Sequence, residues 1–236
     1  MNINQENNLM FFHIPKNAGQ SILSGFNLEK NKQLNRSVVC GLTTSLFFKQ
    51  EDLNRFTKFS IIRNPFDRLV SLYHFRKKEN DLYNLFVGAN YSGGDKTSPD
   101  GKNLSFKEWV MDSRSRGLGL LWGEDPFLDS SKEKQIYLFE NHQGGYNSTI
   151  EWVNQIHFLT DRSGNLITNE ILRFETLNKD IENFCKKYNL NQVMLEKKNS
   201  SPRKKNYVEY YDDELIEYAS NIFKDDINCL DYKFGD

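Results

Sequence analysis

Leu9-Met10-Phe11-Phe12-His13-Ile14-Pro15-Lys16-Asn17-Ala18-Gly19-Gln20-Ser21 decides the fold. Its first six residues are a nearly continuous apolar run, the pattern of a strand covered on both faces in a parallel sheet. The rest reads as a turn into a helix over residues 21–34. At such a junction, backbone N–H groups and the helix dipole converge on one point and favour an anion. Ala18 and Gly19 let the chain wrap closely around phosphate oxygens, Ser21 offers a hydroxyl, and Lys16 brings a full positive charge on a flexible stem. The lysine precedes the glycine and no Gly-Lys-Ser/Thr ending follows, so this is not the loop of ordinary nucleotide triphosphatases.

Working outward, Ser37-Val38-Val39-Cys40 and Phe59-Ser60-Ile61-Ile62 are two further strand candidates, separated from the first and from each other by helix-length segments 21–34 and 44–56. The first third therefore reads β-α-β-α-β, a parallel sheet with right-handed crossovers. Ligands of such sheets bind beyond the carboxyl ends of the strands. After the third strand, Pro65 sits where a helix begins, and Leu69, Val70, Leu72 and Tyr73 give residues 66–78 an apolar stripe. Arg63 stands at that strand end and can offer a bidentate fork to a second phosphate, with Ser71 a neutral donor about two turns along the helix. Arg68 serves equally well as a phosphate ligand or as an ion-pair partner of Asp67 or another carboxylate.

Further along, Gly93-Gly94, Ser98-Pro99 and Asp100-Gly101 mark residues 88–102 as a mobile surface excursion. Helices are predicted over 106–113, 132–139, 177–188 and 212–223, and strands over 155–159 and 170–174, with a turn at 161–165. At 236 residues the chain is read as a single domain, residues 1–236.

With 31 basic and 32 acidic residues the chain has no general attraction for nucleic acid or an anionic membrane. Cys40, Cys185 and Cys229 form no C-x-x-C pair and are read as buried free thiols. Residues 1–8 carry neither the basic start nor the apolar run of a secretory signal, and no stretch approaches about 18 apolar residues, so no membrane span and a cytoplasmic location are expected.

The two phosphate motifs together resemble those of sulfotransferases that use 3′-phosphoadenosine 5′-phosphosulfate (PAPS), particularly the carbohydrate branch. His13 to Ser21 looks like the family's 5′-phosphosulfate loop, with Gln20 in place of the usual threonine. Arg63, Pro65, Arg68, Ser71 and Tyr73 match its 3′-phosphate motif, Arg-x-Pro-x-x-Arg-x-x-Ser-x-Tyr. Arg173-Phe174-Glu175-Thr176-Leu177 and the basic residues 197–207 are compatible with segments late in that family. The resemblance implies a P-loop-like three-layer α/β/α domain around a central, mainly parallel sheet. It implies PAPS as donor with no metal, and an acceptor hydroxyl, favoured as a carbohydrate's. Lys16, Asn17, Ala18, Gly19, Gln20, Ser21, Arg63 and Ser71 would bind the donor, and a late loop would add Asn199, Ser201 and Arg203.

In the implied reaction an acceptor oxygen attacks sulfur in line, Lys16 stabilises the leaving oxygen, and a base takes the hydroxyl proton. Many relatives carry a histidine after the second strand, where this chain has Cys40-Gly41-Leu42-Thr43-Thr44. His13 and His157 are read as structural, leaving His74, or His142, as the base, with Glu51, Glu79 or Asp81 as carboxylate alternatives. Tyr83, Tyr91, Trp109, Trp122, Tyr146 and Trp152 are either packing residues or platforms for a sugar ring. Two other readings stay open at this point: a non-catalytic nucleotide- or glycan-binding module, and a P-loop kinase-like phosphotransferase.

Overall fold

Leu9, Met10, Phe11 and Phe12 are all buried, with alternate side chains entering two different cores. That burial on both faces makes this run an interior strand. The computed structural model describes residues 2–30, 49–78, 104–112, 152–161, 163–196, 203 and 206–236. The strand 37–40, the excursion 88–102, the helix 132–139, and Cys40, Glu79, Asp81, Tyr83, Tyr91, Trp122, His142, Tyr146, Asn199 and Ser201 lie outside them.

The strands are β1 (Asn2–Asn4), β2 (Leu9–Phe12), β3 (Glu29–Lys30), β4 (Thr57–Ile62) and β5 (Glu170–Arg173), in the order β3-β1-β2-β4-β5. β2, β4 and β5 run parallel, with Phe11 opposite Phe59 and Ile61 opposite Leu172, whereas β1 pairs antiparallel with both β2 and β3. The α/β class and the parallel core of the sheet agree with the sequence reading. The antiparallel margin does not follow from it. Asn2 and Asn4 are buried polar residues, and Asn4 closes the turn back to β2 by accepting from the Asn7 N–H while donating to the Phe26 carbonyl.

The chain forms two compact units, one of residues 1–63 with 155–200 and one of residues 64–154 with 201–236. The first contains the sheet. Helices α1 (Gly19–Gly25) and Leu177–Lys187 cover one face, where Ile22, Phe26, Ile181, Phe184 and Cys185 join Leu9, Phe11, Phe59, Ile61 and Leu172 in one core. On the other face, Leu53 from helix Gln50–Asn54 packs with Met10 and Phe12. Helix, sheet and helix make the three layers.

Two predicted elements are corrected. The helix over 21–34 begins at Gly19 and stops at Gly25, because Asn27 turns left-handed at φ 48 and the buried Phe26 and Leu28 lead the chain into β3. Residues 155–159 are not a strand. Ile156–Leu159 is a single helical turn, with Thr160 then bridging to Leu166 around the expected 161–165 turn.

In the second unit, helix Pro65–Lys78 starts at the expected proline and buries Leu69, Val70, Leu72 and Tyr73. Phe106–Met111 is closed by a capping box between Ser105 and Glu108, and Asp212 caps Asp213–Ile222. Tyr207–Tyr210 forms a 3-10 turn and Lys224–Leu230 a last helix, neither foreseen. Trp109 and Trp152 are fully buried with ring centroids 5.0 Å apart, which makes them packing residues rather than sugar platforms. Cys185 is buried as expected, but Cys229 is exposed.

Phe184 is the keystone of the first core, with its ring 4.8 Å from Phe59 and 5.8 Å from Phe26. Phe184→Ala is expected to lower the unfolding free energy by about 3–5 kcal/mol, read from denaturant titration. A loss of only a few tenths would mean that the aromatic cluster does not hold the helix on the sheet.

Candidate functional site

Because β2, β4 and β5 are parallel, their carboxyl ends lie at one edge of the sheet, and the residues that follow them are His13, Arg63 and Phe174. The end of β2 is tied to β4 by the Ser60 hydroxyl, which donates to the Phe12 carbonyl at 2.7 Å. The loop to α1 leaves from that fixed point.

Lys16 and Ala18 both hold left-handed backbone angles, φ 71 and φ 58. Side-chain-bearing residues reach that region at a cost of about 1–2 kcal/mol each, so a loop holding two of them is kept by its surroundings. The Ala18 carbonyl accepts from the N–H groups of Ser21 and Ile22 and starts the helix. Gly19 is needed for space, not for angle. A methyl group there would stand 2.0 Å from His13 Nε2. His13, one residue beyond β2, is buried and stacks on Phe11, which agrees with a structural role.

Asn17, expected to contact the donor, is 0 % exposed. Its Nδ2 donates to the Ile61 carbonyl at 2.8 Å and to Gln155 Oε1 at 2.6 Å, while its Oδ1 finds no partner among the described residues. The side chain therefore braces the loop from inside and leaves only its backbone for a ligand. Ser21 is buried and its hydroxyl donates to the Glu196 carbonyl at 2.8 Å. Gln20 is exposed and Lys16 half-buried.

Arg63 departs from an open phosphate fork. It is 3 % exposed, lies 4.0 Å over the Phe174 ring, and donates from Nη1 to the Lys16 carbonyl at 2.9 Å. The second motif thus holds the first directly. Gln155 completes the tie from a fully buried position. Its Oε1 accepts from the Arg63 N–H at 3.0 Å as well as from Asn17, and its Nε2 donates to the Arg63 carbonyl at 2.8 Å. Sequence reasoning missed this residue, having placed it at the edge of a strand.

In the second unit, Asn64 accepts from the Phe66 N–H and donates to the Lys233 carbonyl, fixing the start of helix Pro65–Lys78. Arg68 is buried and donates to the Val153 carbonyl, a structural bond. Asp67 pairs with Arg203 at 2.6 Å. Arg203, expected to reach the donor from a late loop, thus has Nη1 engaged by a carboxylate. Tyr211 donates to the Phe66 carbonyl, and burial, then the charges of Asp67 and Tyr207, push its phenol well above the usual range.

Asp67, Ser71 and His74 recur at intervals of four and three, along one helix face. His74 Nε2 lies 2.8 Å from the Tyr210 hydroxyl. Burial, then the positive charges of Arg203 and Lys77, lower its pKa below the ordinary 6.5. The imidazole is therefore neutral at pH 7. A base needs a free lone pair, and Nδ1 has one in the tautomer whose Nε2–H donates to Tyr210.

Gly19→Ala is expected to destabilise by about 1–3 kcal/mol through overpacking, despite alanine's better helix propensity. His13→Ala should restore most of that loss in the double variant; if it does not, the clash is not the cause. For His74, the unfolded imidazole protonates before the folded one, so its contribution to stability is fully present above 6.5 and is lost as pH falls through the lower folded pKa. NMR titration should put the His74 midpoint below 6.5, and His74 titrating above that value would contradict the assigned surroundings.

A search of curated proteins and one of solved structures returned no match. The family model described as "Sulfotransferase family" matches residues 1–233. The chain belongs to the sulfotransferase family, whose members transfer sulfuryl groups.

Proposed function

We propose that the chain transfers the sulfuryl group of 3′-phosphoadenosine 5′-phosphosulfate to an acceptor hydroxyl, a carbohydrate's by resemblance. The observation that carries the proposal is the loop after β2. Two left-handed residues are held there by the Arg63 guanidinium on the Lys16 carbonyl, at the carboxyl end of a parallel sheet. Such a turn presents backbone N–H groups to an anion, and the loop carries a lysine at the same place.

In this reading the donor is a substrate and its phosphosulfate occupies the loop. The sulfur–oxygen bond to the departing phosphate breaks as one to the acceptor oxygen forms. Lys16 meets the charge that develops on the leaving oxygen. Arg63 contributes positive potential and keeps Lys16 in place. Ser71 and Arg203 are retained as further phosphate contacts, and His74, neutral at pH 7, is assigned the acceptor proton.

The test is calorimetric titration with 3′-phosphoadenosine 5′-phosphate, the donor's product, against adenosine 5′-phosphate and ATP. Selective binding of the 3′-phosphorylated nucleotide is expected, weakened roughly 10–100-fold in Arg63→Ala. Lys16→Ala should cost about 10²–10³ in kcat with a smaller change in affinity. Equal binding of all three nucleotides, or unchanged kinetics in both variants, would sink the proposal. Tight binding without transfer to any hydroxyl would leave a nucleotide-binding module.

A further inference from the structure

Gln155 lies outside both phosphate motifs, yet its one side chain touches both. The geometry points to Gln155 as a positioning residue of the donor site, and this rests on the donor reading above. Beyond Ile62 the Arg63 peptide projects past the regular end of β4, and the carboxamide of Gln155 pairs with it as a neighbouring strand would, accepting from its N–H and donating to its carbonyl. The same Oε1 receives Asn17 Nδ2 at 2.6 Å. Arg63 then places its guanidinium against Phe174 and the Lys16 carbonyl. One carboxamide thus sets the root of the arginine and the middle of the loop that bears the lysine.

No other neutral side chain of this size fills the same role. Leucine matches the volume but offers neither donor nor acceptor. Glutamate keeps both accepted bonds but loses the donation to the Arg63 carbonyl. Asparagine has the right groups one methylene short of reach. The three variants therefore separate volume, polarity and length.

The experiment measures binding of 3′-phosphoadenosine 5′-phosphate and thermal unfolding side by side for wild type, Gln155→Leu, Gln155→Glu, Gln155→Asn, Arg63→Ala and the Gln155→Leu/Arg63→Ala double variant. Binding is expected to weaken roughly tenfold or more in Gln155→Leu and by less in Gln155→Glu, at temperatures where each variant is fully folded. Added to Arg63→Ala, Gln155→Leu should cost little more, because the glutamine acts through the arginine and the loop. If Gln155→Leu does not fold, Gln155→Glu carries the same comparison. Affinity equal to wild type in the folded variants, or a loss that multiplies fully with that of Arg63→Ala, overturns the inference and leaves the donor reading standing. A wild-type protein that does not bind the nucleotide overturns both.

Discussion

The end of β4 is the constraint on which the rest of the first unit depends. A buried strand that runs to the edge of its sheet carries peptide groups that water cannot reach, and each left unpaired costs about 1–3 kcal/mol. Here each is met from a different part of the chain: the Ile61 carbonyl by Asn17, the Ile62 carbonyl by the Phe174 N–H, and the Arg63 peptide by Gln155. Satisfying the strand end and shaping the loop after β2 are therefore one problem with one solution. The loop cannot relax without exposing buried polar groups, so its conformation is tied to the stability of the sheet.

Charge is handled differently in the two units. In the first, Arg63 is nearly buried and lies against an aromatic face and a backbone carbonyl, arrangements worth about 0.5–2 kcal/mol for the ring contact. In the second, Arg203 is paired with Asp67, and burial, followed by the charges of Arg203 and Lys77, holds His74 below its ordinary pKa. Burial and the two cations act on the imidazole in the same direction, and all three disfavour its protonated form.

What the sequence made legible is what periodicity and turn chemistry encode. Ile181, Phe184 and Cys185 announced one helix, Leu215, Ala219 and Ile222 another, and Pro65 fixed the start of a third where it was found. The loop after β2 and Arg63 were visible as residue types at a strand end. Three things were not. β1 is short and asparagine-rich, and its pairing depends on side-chain bonds that no alternation reveals. The helix after the loop stops early because Phe26 and Leu28 enter the core two residues apart, a spacing that no helix face permits. Gln155 replaces a strand with its side chain, so a segment that alternates like a strand forms a helical turn instead.

The loop itself shows why a lysine stands where a glycine would be easier. Left-handed angles suit glycine, so placing Lys16 at φ 71 exchanges backbone comfort for a cation at one point of the fold. The exchange is held by bonds the loop does not make to itself, among them Arg63 on the Lys16 carbonyl, and Asn17 on Ile61 and Gln155. It is held firmly enough for Asn17 Oδ1 to stay buried without a partner among the described residues. Strain kept in place by buried bonds is settled when the chain folds, so none of it must be met again when charge develops on a leaving oxygen. A flexible glycine loop would have to be ordered by the ligand at each turnover, and binding free energy would go to ordering the loop instead of to the transition state.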